Sequence, residues 1–211
     1  MRFLIISLFT LFICGSCSLK TTEGLRQTTL TKKEVINPYF LNSTTDYIYK
    51  AKVGVYGRYF GGILIIKKVA EDSHRVVFTT EFGSKIFDFL YEGDTFTKNF
   101  VLEDLDRKII VNTLGKDFKL LISEKAEVLE QFASEGVTVY KTKADNGYNF
   151  YFYEVASERL DKLIKTSKHK EKVTIVFESS NASEEAIVAE KITINHSNIK
   201  LKIDLDYFKK D

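Results

Sequence analysis

Between Asp46 and Ile122 the chain passes through five consecutive strand-like segments and then changes period, and this succession limits the possible folds more than any other feature. The segments lie at about 46–57, 60–70, 74–82, 84–92 and 95–102. They are rich in Val, Ile, Tyr, Phe and Thr, and Gly, Asp or Ser punctuates them, as in antiparallel strands joined by short turns. In 74–82, Val76, Phe78, Thr80 and Phe82 share one face; in 84–92, Phe87, Phe89 and Tyr91 line one side while Ile86 and Leu90 flank Asp88 on the other. Strands that are apolar on both faces need cover on both, or cover on one and an apolar ligand on the other. Gly57, Gly61 and Gly62 sit in or beside the first two strands, where glycine marks a bulge or bend that curves a sheet. After Glu103 the period becomes helical. Asp104 is a candidate cap, Leu105, Ile109, Ile110 and Leu114 fall on one face, Asp106, Arg107 and Lys108 face away, and Phe118, Leu121 and Ile122 continue the stripe past Gly115. The spacing predicts an amphipathic helix over about 105–122, laid across the sheet.

The second half returns to extended patterns at about 137–143, 147–155, 159–167, 171–179, 187–195 and 198–207. Asp145-Asn146-Gly147 is a hairpin turn. Val128, Leu129 and Phe132 suit either a helix face or a strand. Ser167 to Lys172 forms a basic hairpin tip that reads as solvated, with contact to phospholipid headgroups as the alternative. The expected fold is therefore mainly β (α+β), with about eleven antiparallel strands and one helix, and a sheet that large must curl or close. Seventeen Phe and eleven Tyr beside one Pro fit a chain dominated by extended structure.

Met1 and Arg2 precede an apolar run, Phe3 to Ile13, and then Cys14-Gly15-Ser16-Cys17. This is the pattern of a signal peptide, too short to span a bilayer that needs about 20 apolar residues. Gly15-Ser16-Cys17 resembles the lipobox of bacterial lipoproteins, with Cys14 standing where that family usually has Leu. The resemblance implies cleavage before Cys17 and acylation of its thiol; the other reading is an ordinary secreted protein cut elsewhere. The expected division is a signal peptide over 1–16, a lipidated cysteine with a Thr-rich tether over 17–45, and one β-rich half-barrel domain over 46–211. The tether tightens into a docked turn at Asn37-Pro38-Tyr39-Phe40. Cleavage before Cys17 leaves no other thiol, which rules out a disulfide, a cysteine-ligated zinc or a cysteine nucleophile. Ser18 stands where an Asp would act as an inner-membrane retention signal, which favours the outer membrane.

Thirty-one basic against twenty-nine acidic residues give a net charge of +2, so no global field points to nucleic acid. His74, His169 and His196 have no cysteine or carboxylate at ligand spacing, so no metal site is expected. No nucleophile elbow, P-loop or dinucleotide fingerprint is present. Capping and solvated strand faces account for the pairs Asp104 with Asp106 and Asp204 with Asp206. The expectation is a protein that is not an enzyme and needs no cofactor. An apolar interior remains: Phe78, Phe87, Phe89, Phe96, Phe100, Tyr151 and Tyr153 line a cavity for acyl chains, closed by Leu105, Ile109, Ile110 and Leu114. The competing reading has the same residues filling a core, the commoner fate of aromatic strands.

A lipobox, a strand meander, a helix and further antiparallel strands ending in a hairpin resemble the outer-membrane lipoprotein-carrier superfamily, the LolA/LolB-like unclosed barrel. Asn37-Pro38-Tyr39-Phe40, Phe78-Thr79-Thr80-Glu81-Phe82-Gly83 and Asn195-His196 are similar to phrases in envelope lipoproteins. The resemblance implies a half-barrel with the helix across its opening, in a periplasm-facing outer-membrane lipoprotein that binds lipid or a lipidated polypeptide. The alternative function is a structural or assembly lipoprotein with a filled core that binds an envelope partner.

Overall fold

A computed structural model describes residues 20–168, 170–179 and 187–208. Fourteen strands are present there: β1 (Arg26–Thr28), β2 (Glu34–Ile36), β3 (Asp46–Val55), β4 (Arg58–Ala70), β5 (Ser73–Thr79), β6 (Lys85–Glu92), β7 (Thr95–Val101), β8 (Lys125–Ser134), β9 (Val137–Ala144), β10 (Gly147–Glu154), β11 (Leu160–Ser167), β12 (Glu171–Glu178), β13 (Lys191–His196) and β14 (Leu201–Tyr207). The one α-helix among the described residues is α1 (Lys108–Ile122). The strands form one antiparallel sheet in the order β1-β8-β9-β10-β11-β12-β13-β14-β3-β4-β5-β6-β7, with β2 also paired to β8. Consecutive in the chain, β7 and β8 stand at opposite limbs of the sheet and are not paired with each other. The sheet is thus an unclosed, curved barrel, and α1 bridges its gap. The expected fold class holds.

Three strands exceed the expected eleven. β8 arises from the segment whose pattern suited helix and strand equally, and β1 and β2 come from the segment expected as a tether. Arg26, Gln27 and Thr28 pair with Ala133, Phe132 and Gln131, while Glu34 and Ile36 pair with Glu127 and Lys125. An edge strand of a curved sheet has unpaired backbone groups, and polar Thr-rich chain satisfies them as well as any other, because the pairing is made by the backbone. The tether expected over 17–45 is thus docked from residue 20 onward. The turn at 37–40 is docked as expected: Tyr39 stacks on Phe177 at 4.7 Å, its hydroxyl donates to Leu160 O at 2.9 Å, and Phe40 packs edge-on against Tyr47 at 5.1 Å.

The helix begins three residues later than expected. Leu105 belongs to a separate 3-10 turn, Glu103–Leu105, and remains buried. Asp104 does not cap α1 but pairs with Arg58 at 2.7 Å. Gly115 neither ends nor kinks the helix: a Cβ there would lie 2.8 Å from Cζ of Phe96, so the glycine lets that ring approach the helix backbone. Gly62 answers to the same logic on β4, where a Cβ would lie 1.9 Å from the carbonyl oxygen of Thr79.

Two apolar layers result. The main core fills the concave side, from Tyr49, Val53, Leu64 and Phe78 across to Ile175, Ile194 and Ile203. A smaller cluster of Val139, Phe150, Phe152 and Ile164 lies on the other face of β9 to β11, with Leu25 and Phe132 packed against it. The alternation in β10 sends Phe150 and Phe152 outward and Tyr151 and Tyr153 inward. Around Leu25 the N-terminal segment therefore lies as a strap on the outer face, held at its start by Thr21 Oγ1 donating to Glu171 Oε1 at 2.8 Å, and it then turns inward, with Val35, Tyr39 and Phe40 in the main core.

His74, at the start of β5, ties down the end of the docked turn. Its side chain is 5% exposed, and Nε2 lies 3.1 Å from Phe40 O. Burial pushes the imidazole below its ordinary value of 6.5, against the pull of the Phe40 carbonyl and Glu124. The unfolded chain therefore takes up a proton at higher pH than the folded one. Stability associated with neutral His74 is present above 6.5 and lost as pH falls below it. In urea unfolding at about pH 7.5 and about pH 5.5, His74→Gln is expected to reduce the loss of stability between the two; an unchanged difference contradicts the assignment.

Candidate functional site

The apolar stripe of α1 enters the concave side of the sheet. Ile110, Leu114, Phe118 and Leu121 repeat at helical spacing and are 5%, 0%, 0% and 0% exposed. They meet a run of rings on β5, β6 and β7: Phe87 and Phe89 stack at 4.5 Å, Phe78 is tilted against Phe87 at 5.3 Å, Phe96 meets Phe89 edge-on at 5.1 Å, and Phe118 of the helix is tilted against Phe87 at 5.5 Å. On the opposite wall Tyr151 is buried, its hydroxyl pushed up to about 12 by loss of solvation. Tyr153 is half-buried beside Tyr140 and donates to Ile36 O at 2.6 Å.

Of the residues proposed as cavity lining, Phe78, Phe87, Phe89, Ile110, Leu114 and Tyr151 are thus brought together inside, in contact with filled core. Phe96 is half-buried at the rim. Two members fall elsewhere. Phe100 is 41% exposed and lies beside Lys85. A bulge between the pairs Phe89 with Lys98 and Asp88 with Phe100 skips Asn99 and turns Phe100 to the outer face. Ile109 is 60% exposed, because the buried stripe of Leu114, Phe118 and Leu121 runs back at helical spacing through Ile110 and leaves Ile109 at the edge. Cys17 and His169 lie outside the described residues.

A groove of about 340 Å³ runs between α1 and the ends of β11 to β13. Ile109, Val173 and Ile199 give it apolar walls, and Lys116, Lys165 and Lys172 give it cations. At Lys116 and Asp145 it meets a second space of about 510 Å³, which continues along α1 to Phe96 and Gly115. Asp117 and His196 border the groove. His196 Nε2 lies 2.7 Å from Asp117 Oδ2, and both side chains are 4% exposed. Burial pushes the Asp117 carboxyl up, while His196 opposes that shift. This contact joins the helix to the far wall of the sheet. Among the described residues, three other polar ties hold α1 to the sheet and the N-terminal segment: Tyr91 Oη donates to Gly115 O at 3.1 Å, Asn37 Nδ2 donates to Leu121 O at 2.8 Å, and Lys119 reaches Gly93 O and Asp94.

The sequence reading missed the pair because it placed His196 in a loop. The signal was Asp117 itself, a carboxylate between Leu114, Phe118 and Leu121 on an apolar stripe, where a charge requires a partner. No group of three potential metal ligands occurs among the described residues, and none of their helices is long and apolar enough to cross a membrane.

No family model matches this chain, and no curated relative matches it in sequence. Its fold is similar to that of a LolA superfamily protein from Nitrosomonas europaea, with a TM-score of 0.51 and 9% identity over 82% of this chain and 89% of that one. A putative outer membrane lipoprotein-sorting protein domain from Vibrio parahaemolyticus aligns at a TM-score of 0.42 and 11% identity, over 78% of this chain and 83% of that one. A DUF1329 family protein from Desulfovibrio piger aligns at 0.44 and 6%, over 78% and 84%. The resemblance of the chain to the LolA superfamily, read from its element order, is thus met in its three-dimensional fold.

Removing one partner of a buried pair leaves the other dry and without its hydrogen bond. His196→Ala is expected to lower unfolding free energy by about 3–5 kcal/mol, measured in urea, whereas replacing both Asp117 and His196 by Leu costs far less. A loss under about 1 kcal/mol for His196→Ala contradicts the buried-pair assignment.

Proposed function

We propose that this protein is a lipid-anchored envelope protein that binds the acyl chain of a lipid or a lipidated polypeptide in its half-barrel, with α1 displaced from the trough. The observation that carries the proposal is the position of α1 in the gap between β7 and β8. Its buried face occupies the space above Phe87 and Phe89, and no strand pairs across the gap. Moving the helix breaks four polar ties and no sheet ladder. An acyl chain would then meet the ring surfaces that Ile110, Leu114 and Phe118 now cover. Each methylene buried there contributes about 0.8 kcal/mol, so eight contribute roughly 6 kcal/mol before ordering costs. The likeness to lipoprotein carriers supports an acyl ligand. Gly15-Ser16-Cys17 supports anchoring through an acylated Cys17, and Ser18 supports the outer membrane.

A second reading is favoured by the same rings: with centroids 4.5 to 5.5 Å apart they already fill the trough, as in an assembly lipoprotein with a solid core. The two readings differ in what the chain takes up. The chain from residue 18 onward is expected to carry a lipid in native mass spectrometry. Its unfolding free energy is expected to rise by about 2.7 kcal/mol at a hundredfold excess of fatty acid over the dissociation constant. A chain that purifies empty, binds no hydrophobic dye and melts identically with and without fatty acid contradicts acyl binding and leaves the filled-core reading.

A further inference from the structure

We propose that the hairpin joining β11 and β12 is a docking surface for the anionic headgroups of a phospholipid bilayer. It holds the groove beside α1 toward that membrane. The first observation is charge. Lys168 and Lys170 are exposed at the tip, Lys165 and Lys172 stand half-buried at its base, and Lys116 is exposed on α1 across the groove. None of the five is in an ion pair among the described residues, although the charge of Lys165 acts on Asp117, and Lys165, Lys168, Lys170 and Lys172 fall within eight consecutive residues. Three carboxylates stand near these five lysines: Glu171, which accepts the Thr21 hydroxyl, Asp117, which is paired with His196, and the exposed Asp145, so the cations remain in excess. Unpaired lysines on one hairpin are the electrostatic footprint of an anionic partner.

The second observation is where the chain comes from. The 3-10 turn Lys20–Thr22 sits at the base of this hairpin, with Thr21 7% exposed and bonded to Glu171. Cys17 is four residues from Thr21, so covalent geometry keeps it within about 14 Å of that point. An acylated Cys17 would therefore bring bilayer headgroups to the lysines of the hairpin, two of which, Lys165 and Lys172, also line the groove that holds Ile109, Val173 and Ile199. A bilayer, rather than a soluble acidic protein, is the partner that both the anchor point and the apolar rim favour. This inference rests on the lipid-anchored reading for its geometry, but the charge of the hairpin stands without it.

The test uses the unlipidated chain from residue 18, which contains every described element, and vesicles of phosphatidylcholine alone or mixed with phosphatidylglycerol. Sedimentation is expected with the mixed vesicles and not with the neutral ones, and added salt weakens it. Lys168→Gln with Lys170→Gln is expected to lower the apparent affinity about tenfold. Lys50→Gln with Lys52→Gln on β3, equal in charge change and exposed, lowers it less than about twofold. Equal binding to neutral vesicles, or equal losses in the two double variants, overturns the docking surface. Anionic preference in a chain that takes up no acyl ligand supports the docking surface and removes acyl binding. Acyl uptake without anionic preference does the reverse.

Discussion

The structure depends on the burial of one helix face in a sheet that does not close. Curvature gives the sheet a concave apolar side, and the missing pairing between β7 and β8 leaves that side open to water along one line. Ile110, Leu114, Phe118 and Leu121 cover it. Because α1 joins β7 to β8 in the chain, the element that plugs the gap is also the one that crosses it, with only a 3-10 turn and short connections on either side. Hydrophobic burial is non-directional, so these contacts set how strongly the helix is held and leave its position along the trough to the four polar ties.

Two buried aspartates separate permanent structure from the part suited to move. Asp88 on β6 is fully buried and satisfied from several sides: Arg75 donates to both oxygens at 3.0 and 2.7 Å, Lys85 at 2.9 Å and Asn99 at 3.3 Å. Arg75 first among these holds the carboxyl well below its ordinary 3.8, so its contribution to stability is present at neutral pH and lost only as pH falls below that value. Lysine and arginine here are half-exposed, which moderates the contribution. Among the described residues Asp117 has a single hydrogen-bond partner, His196, and its carboxyl is pushed up by burial. A carboxylate held by one partner costs less to release into the groove than one held by three. The permanent network is thus in the sheet wall, and the tie suited to breaking is on the helix.

Where periodicity and burial agree, the fold was legible from sequence. The strands from β3 to β7 and the hairpin at Asn146 announce themselves through aromatic alternation and turn residues, and α1 through its stripe. What escaped depends on the backbone or on register. β1 and β2 pair through main-chain groups that carry no side-chain pattern, so Thr-rich sequence read as a tether. The bulge at Asn99 moves Phe100 to the outer face although its neighbours alternate regularly. Ile109 and Ile110 are adjacent apolar residues, and the packing of Leu114, Phe118 and Leu121 on the sheet decides that Ile110, four residues before Leu114, is the buried one. The site was half legible. Phe78, Phe87, Phe89 and Tyr151 meet in the core while Phe100 does not, and the groove at their edge is assembled from Lys116 on α1, Lys165 on β11 and His196 on β13, three positions without any local signal of proximity.

The central claim is that α1 must leave the trough for an acyl chain to enter. A thiol-cleavable bismaleimide bridge between Lys116→Cys and Asp145→Cys, both exposed and lining the same groove, tests it in a chain from residue 18, which has no native cysteine. The bridged chain is expected to take up no fluorescent fatty acid, and cleavage of the bridge is expected to restore uptake to that of the single variants. Uptake by the bridged chain equal to that after cleavage contradicts the claim.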